Sequence, residues 1–480
     1  MAAGLVAGLA VAFHWFGWTS IPGNSCGGRY RPCPEGTTPT ILLAFLCTFV
    51  GMAAATWRVA ELAKIRPGRV LPAVLVVTGM ALALWPGWKA HEWMRGPVVD
   101  RAWDTPLDRP GTVTGVGNWV LDDAVVRART DGLTGYGLAD GRELWSLDAP
   151  TRGSACAMSD SMADGIGVIA FGREAKPCDT VWGVDTTNGR KLWERKIKGS
   201  VGFTSPTGGR VAADGGVAVV LEDTGVRGLA LRSGAPKWEL DLDVGCSPVV
   251  ASAAGGRTQV VVQCMNGLEF LSLELVSLDT ATGKRAGRTA LPTESPWETA
   301  VVVSARPFTL WLKEEDDRGT DAVLAFDDQG RPRGSVNVSG RDEDLRMTVH
   351  EGAGFAARPS LRAVVVGDLL VTAVTKPDED IPESLSGYGL DDGRRLWHTG
   401  AGGPVGALTR QSGSRLAVLA NGRIHSLDPR TGRLAEGPLI REGADDIAGA
   451  PQLVPGRDGD WLLVNSVGTG VTPPLLAFGG

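Results

Sequence analysis

Adjacent cysteines, grouped histidines and a generous supply of lysine are all missing from this sequence. The five histidines (His14, His91, His350, His398, His425) are scattered without ligand spacing, and no H-E-x-x-H helix, Walker loop or G-x-S-x-G elbow occurs. That excludes the commonest zinc, nucleotide and serine-hydrolase sites. Only ten of the 48 basic residues are lysine, a bias of genome composition more than of chemistry. The chain carries a net charge of -6, and residues 100–480 alone carry -11. An acidic body argues against nucleic acid as a partner, because phosphates demand a basic face. Tyrosine occurs three times, and two of the three stand at the same place in two copies of one phrase.

That phrase is Gly387-Tyr388-Gly389-Leu390-Asp391-Asp392-Gly393-Arg394-Arg395-Leu396-Trp397, with a near copy at Gly135–Trp145. It reads as a strand, a tight turn and a second strand ending on a large aromatic. The acidic residue supplies the local hydrogen bond of the turn, and the glycine supplies its φ > 0 position. Turn glycines recur at Gly141, Gly189, Gly234, Gly283, Gly330, Gly393 and Gly432, with a period close to 48 residues. Further strand-like runs lie between them, such as Val217–Leu221 and Leu369–Val374. Four short strands per period of this length predict propeller blades. The chain ends on half a unit, Pro474–Gly480, and the complementary half stands at Arg101–Leu107. Seven complete units and one shared between the two ends give an all-β, eight-bladed β-propeller, closed by its terminal strands.

The unit Leu-Asp-x-x-Thr-Gly-Arg/Lys-x-x-Trp resembles the PQQ-like repeat of quinoprotein-type propellers, which includes quinoprotein dehydrogenases and BamB-type assembly lipoproteins. The resemblance spans about residues 98–480 and is specific for fold, not for cofactor. It implies that pyrroloquinoline quinone (PQQ) and Ca²⁺ are conceivable ligands. It also implies what they need: in many such dehydrogenases a disulfide between adjacent cysteines faces the quinone, and this sequence has no adjacent pair. The whole chain is similar to actinobacterial membrane proteins with a multi-span anchor before the propeller.

The anchor expectation rests on three apolar stretches, about 2–22, 40–57 and 70–88, each approaching the ~20 residues that cross a bilayer. They predict three transmembrane helices in an anchor over 1–97, with the propeller over 98–480. Arg58, Lys64, Arg66 and Arg69 between the second and third stretches place that loop, and the N-terminus, in the cytoplasm. The propeller is then extracytoplasmic and the bilayer itself a partner. Cysteines agree: Cys26 and Cys33 share the first loop, while Cys156, Cys178, Cys246 and Cys264 lie in the body. An even set suits an oxidising compartment, and each body pair sits about one hairpin apart, as a staple within a blade does.

The repeated tryptophans (Trp103, Trp145, Trp193, Trp238, Trp397) hold a fixed place in their units, so they read as docking residues between neighbouring blades. The acidic runs 314–317, 342–344 and 378–380 lack the order of a calcium loop and read as solvated loop tips. The 63-residue interval from Gly330 to Gly393 leaves room for insertions at Gly340–Pro359, which holds Asp342, His350 and Glu351, and at Lys376–Ser384. Loops added to a rigid ring are where partners bind, and the other reading is a tolerated insertion without function. The sequence thus predicts no catalytic, cofactor or metal residues, and a non-catalytic propeller presenting a binding or scaffolding surface to a protein or envelope component. The alternative is a PQQ-dependent oxidoreductase coupled to the membrane.

Overall fold

The computed structural model describes residues 2–19, 36–62, 70–96, 98–111, 113, 115–173, 178–198, 209–349, 360–411, 413–440, 451–456, 459–465 and 470–479. Cys26, Cys33, His350 and Glu351 lie outside the described residues, and so does the loop from 63 to 69.

Alternating apolar runs broken by glycine turns fold into antiparallel four-stranded meanders. The first sheet comprises Gly115–Val120, Ala124–Arg129, Gly132–Gly137 and Glu143–Asp148. The second runs from Ser154 to Lys196, the third from Val211 to Asp241, the fourth from Cys246 to Ala290, and the fifth from Trp297 to Asn337. Sheet six is built from Ala363–Val366, Leu369–Thr375, Ser384–Gly389 and Arg395–Gly400. Sheet seven follows from Val405 to Ala435, and sheet eight from Gln452 to Gly479. The first strands of successive sheets touch one another and so face the middle of a propeller-like ring.

The fourth strand of sheet eight comes from the other end of the body. Val98–Asp104 pairs antiparallel with Leu475–Gly479, placing Arg101 opposite Phe478 and Trp103 opposite Ala477. The same strand pairs in parallel with Leu439–Ile440, through Val98 and Val99, and ties sheet seven to sheet eight. Sheets eight and one meet through Val125, Leu462, Val464 and Leu475, and Asn118 Nδ2 donates to Gln452 Oε1 at 2.7 Å. Apolar clusters of this kind fill the space between sheets around the ring.

The three helices are α1 (Ala2–Thr19), α2 (Thr37–Leu62) and α3 (Val70–Arg95). The expected transmembrane spans do not stand: among the described residues no helix is long and apolar enough to cross a membrane. With 18 residues, α1 measures about 27 Å, short of a ~30 Å hydrocarbon core. The last two turns of α3 carry Lys89, Glu92 and Arg95, joined by ion pairs. Polar side chains also meet between helices: His14 bonds Thr48, and buried His91 bonds Thr40 while stacking on Phe16. The multi-pass placement in a cell membrane, with a cytoplasmic N-terminus and an extracytoplasmic propeller, loses its support together with the spans.

Candidate functional site

The repeated tryptophans sit on the outermost strands, each beside a small residue of its own sheet. Trp145 is in register with Gly135, Trp193 with Gly183, Trp238 with Gly228 and Trp397 with Gly387, so each ring lies flat across its neighbouring strand. The other side of each ring meets the turn glycine of the next sheet. Trp103 lies against Gly141, Trp145 against Gly189, Trp193 against Gly234, Trp238 against Gly283 and Trp397 against Gly432. Gly189 shows why the turn position is restricted: its φ is 70°, and a β-carbon there collides with the Trp145 ring. Indole N–H groups complete three joints, donating to Leu231 O from Trp193 (2.6 Å), to Thr280 O from Trp238 (2.9 Å) and to Pro429 O from Trp397 (2.8 Å). Trp145 Nε1 has no acceptor among the described residues. None of these five rings lines the cavity beside His398 or the shallower one beside His425.

Both body cysteine pairs are disulfides, Cys156–Cys178 within sheet two and Cys246–Cys264 within sheet four. All four cysteines are buried. Cys47 is a free thiol.

Two of the acidic runs do not behave as solvated tips throughout, because each turns one carboxylate inward. Glu314 is 2% exposed, and its Oε1 accepts from the backbone N–H groups of Glu294 (2.6 Å) and Ser295 (2.7 Å) while Oε2 takes that of Thr320. Burial works to raise its pKa, but these donors outweigh it and hold the carboxyl below the usual range.

Glu343 is the centre of a larger cluster. The insertion after sheet five pairs Asp344–Leu345 with Val374–Thr375, which carries Glu343 across the outer half of sheet six. Alternation along Ser384–Gly389 puts Ser386 and Tyr388 on one face, and the neighbouring strand sets His398 beside Ser386 and Arg395 beside Tyr388. Glu343 then accepts from the Tyr388 hydroxyl, from Ser386 Oγ at 3.0 Å and from Arg395 Nη1 at 3.2 Å, with His398 Nδ1 2.8 Å from Oε2. Burial pushes the Glu343 pKa up, and the hydrogen bonds from Tyr388, Ser386 and Arg395 more than reverse this, so it lies below the usual value. Tyr388 is pushed the other way, first by burial and then by its bond to the carboxylate. Above the cluster opens a cavity of about 660 Å³, walled by Asp342, Thr375, Lys376, Glu379, Glu383, Ser384, Gly403 and Asn421. Both candidate insertions therefore contribute to one pocket.

The arrangement is poor for nucleophilic catalysis. Ser386 is fully buried, and both it and Glu343 engage the same imidazole nitrogen, Nδ1 of His398. A relay needs the acid on one ring nitrogen and the nucleophile on the other. Nor do the described residues fit the quinone and Ca²⁺ that the repeat resemblance implies. The two disulfides link non-adjacent, buried cysteines, and no group of three His, Cys, Asp or Glu residues converges as a cation site.

Sequence reasoning found the region but not these residues. The long interval between Gly330 and Gly393 flagged the insertions, whereas Glu343 was hidden in an acidic run and His398 among scattered histidines. Tyr388 and Arg395 were visible only as parts of the repeated phrase.

Comparison with curated proteins finds no match. A family model described as outer membrane protein assembly factor BamB matches residues 176–338, about a third of the chain. Among solved structures, BamB from Moraxella catarrhalis is similar at 15% identity and a TM-score of 0.46, over 79% of this chain and 99% of that one. A europium-containing methanol dehydrogenase is similar at 12% identity and a TM-score of 0.48, over 79% and 92%. The computationally designed Ika8 protein gives 12% identity and 0.46, over 80% and 99%. The body of the chain is a propeller-like fold whose central repeats match the BamB family model.

Proposed function

We propose that the chain is a non-catalytic propeller that binds a partner at the cavity of sheet six. One observation carries the reading: the buried polar groups at the cavity floor are consumed by one another. Glu343 takes hydrogen bonds from three side chains and faces His398, so the floor is fixed in shape and holds no free nucleophile beside a free base. A satisfied network of this kind rigidifies a surface. The walls are loops added to a repeating scaffold, which is where recognition concentrates. A scaffolding role also accords with the description of the matched family as an assembly factor.

A photo-crosslinking residue in place of Lys376, on the cavity wall, tests this in intact cells. The expected result is a discrete adduct that the same probe at Asp164, on a turn of sheet two, does not give. Equal adducts at both positions, or none at Lys376, overturn the reading. Stoichiometric uptake of added PQQ and Ca²⁺ with a quinone absorbance band also overturns it, in favour of the oxidoreductase.

A further inference from the structure

The fourth sheet overshoots its neighbours. Its first three strands run 9, 10 and 11 residues, against 4 to 8 in the three sheets before it. The outer strand, Arg285–Ala290, covers only Glu274–Leu278 of the third strand, and Leu291 N closes the pairing on Leu273 O at 2.8 Å. From Glu269 to Ser272 the third strand is paired on its inner side alone, with Leu271 bulged between the paired residues Phe270 and Ser272. The overhang is nonetheless held firmly at its root. The Cys246–Cys264 disulfide crosses it, Met265 N donates to Gly245 O at 2.9 Å, and Phe270 packs back on the core shared with sheet five.

Its side chains are unusual for an uncovered edge. Leu268 is 99% exposed, Leu271 56% and Val244, beside the hairpin base, 103%. Between Leu268 and Leu273 there is one charge, Glu269, and no lysine or proline. Natural edges are normally blunted by such residues. The outer strand of sheet two is of that kind, with Lys191, Glu194, Arg195 and Lys196 along it.

We propose that the edge from Glu269 to Ser272 is a docking strand, to which an extended peptide segment of a partner protein adds as a further strand of sheet four. The occupant follows from the chemistry of the edge. A row of alternating N–H and C=O groups is satisfied by an extended main chain, whereas a helix has already used its own. A second copy of this chain is disfavoured by size, since four residues give about 13 Å of edge and a stable dimer buries at least ~1,200 Å². The partner segment places apolar side chains over Leu268 and Leu271. Asp243, Glu269 and Glu274 around the root outnumber Arg288, which pairs with Asp243 and Glu274, and the remaining negative excess favours a basic residue in that segment.

The test is to pan a displayed library of random 12-residue peptides against the full chain. Enriched peptides should carry alternating apolar residues, and their addition should slow amide hydrogen exchange across 269–272. The double variant Leu268→Lys, Leu271→Lys should keep its melting temperature and lose tenfold or more in peptide affinity. Lys376→Ala, at the sheet-six cavity, should bind the peptides unchanged, which separates this site from that one. Failure to enrich any peptide, equal binding by the double variant, or loss of binding in Lys376→Ala overturns the proposal. So does a dimer in sedimentation that the double variant dissociates, which assigns the edge to a second copy.

Discussion

Two sectors of the ring are joined differently. From sheet eight round to sheet four, and again between sheets six and seven, a tryptophan of one sheet lies on the turn glycine of the next. The joints on either side of sheet five have no such ring. There the tryptophan position is occupied by Gly287 and Gly334, and the strands approach backbone to backbone, Gly287 on Gln329 O and Gly334 on Leu390 O. Polar links complete these joints: Thr289 Oγ1 donates to Gly330 O at 2.8 Å, and Arg333 pairs with Asp368 and Asp391, each at 2.7 Å. The ring can therefore spare the aromatic joint over part of its circumference, and the large insertion and its cavity sit at the end of that stretch. Aromatic joints bury far more apolar area than the ion pairs of Arg333 with two exposed carboxylates, so the two sectors should differ in stability and not only in appearance.

The largest effect expected from breaking this contrast is at Trp193, which is buried and wedged between Gly183 and Gly234. Trp193→Ala should cost about 3–5 kcal/mol by denaturant unfolding, through the cavity and the lost burial. Arg333→Ala should cost less than about 1 kcal/mol, since both its carboxylate partners are mostly exposed. Equal losses would erase the distinction between sectors. The regular sector is also the stapled one, and replacing Cys156 and Cys178 by serine should remove about 3 kcal/mol for a closed loop of this length. A thiol titration under denaturing, non-reducing conditions should find all four body cysteines unreactive.

Sheet five in turn depends on polar rather than aromatic anchoring. Glu314→Ala leaves three backbone N–H groups without their acceptor and should cost about 1–3 kcal/mol. Because the folded pKa of Glu314 is depressed, its contribution is fully present above the unfolded pKa and disappears as pH falls through the folded one. The wild type should therefore lose more stability than Glu314→Gln between pH 6 and acid, measured as the shift in unfolding midpoint. The smallest expected effect compares two members of the same sector. Trp193→Phe removes an indole hydrogen bond to Leu231 O, whereas Trp145→Phe removes none among the described residues. The first should be worse by about 1 kcal/mol, and a reversed order would show that ring volume alone sets the strength of a joint.

Much of the β body is legible in the sequence. Turn glycines with a preceding acidic residue, a tryptophan at a fixed place after the turn and alternating apolar runs are local signals, and the body is propeller-like as they imply. Asp185 illustrates the mechanism: its Oδ1 accepts from Thr187 N at 3.1 Å, and Gly189 N returns to Asp185 O at 2.9 Å. The helical segment was misread from the same kind of evidence. Hydropathy over a window registers apolar residues but not where a helix stops, nor that Lys89, Glu92, His91 and Thr40 are built into it.

By itself the sequence determined what is repeated: strand, turn and aromatic, and a last half-unit matched by a first. A repeat needs only the residues within one period, and hydrogen bonds in a hairpin span a few positions. Tertiary structure alone decided the convergence on Glu343 of side chains 43 to 55 residues further along the chain. It decided as well how far the fourth sheet outruns its covering strand. Both depend on the register of pairings between distant segments, where a shift of one residue turns every side chain to the opposite face.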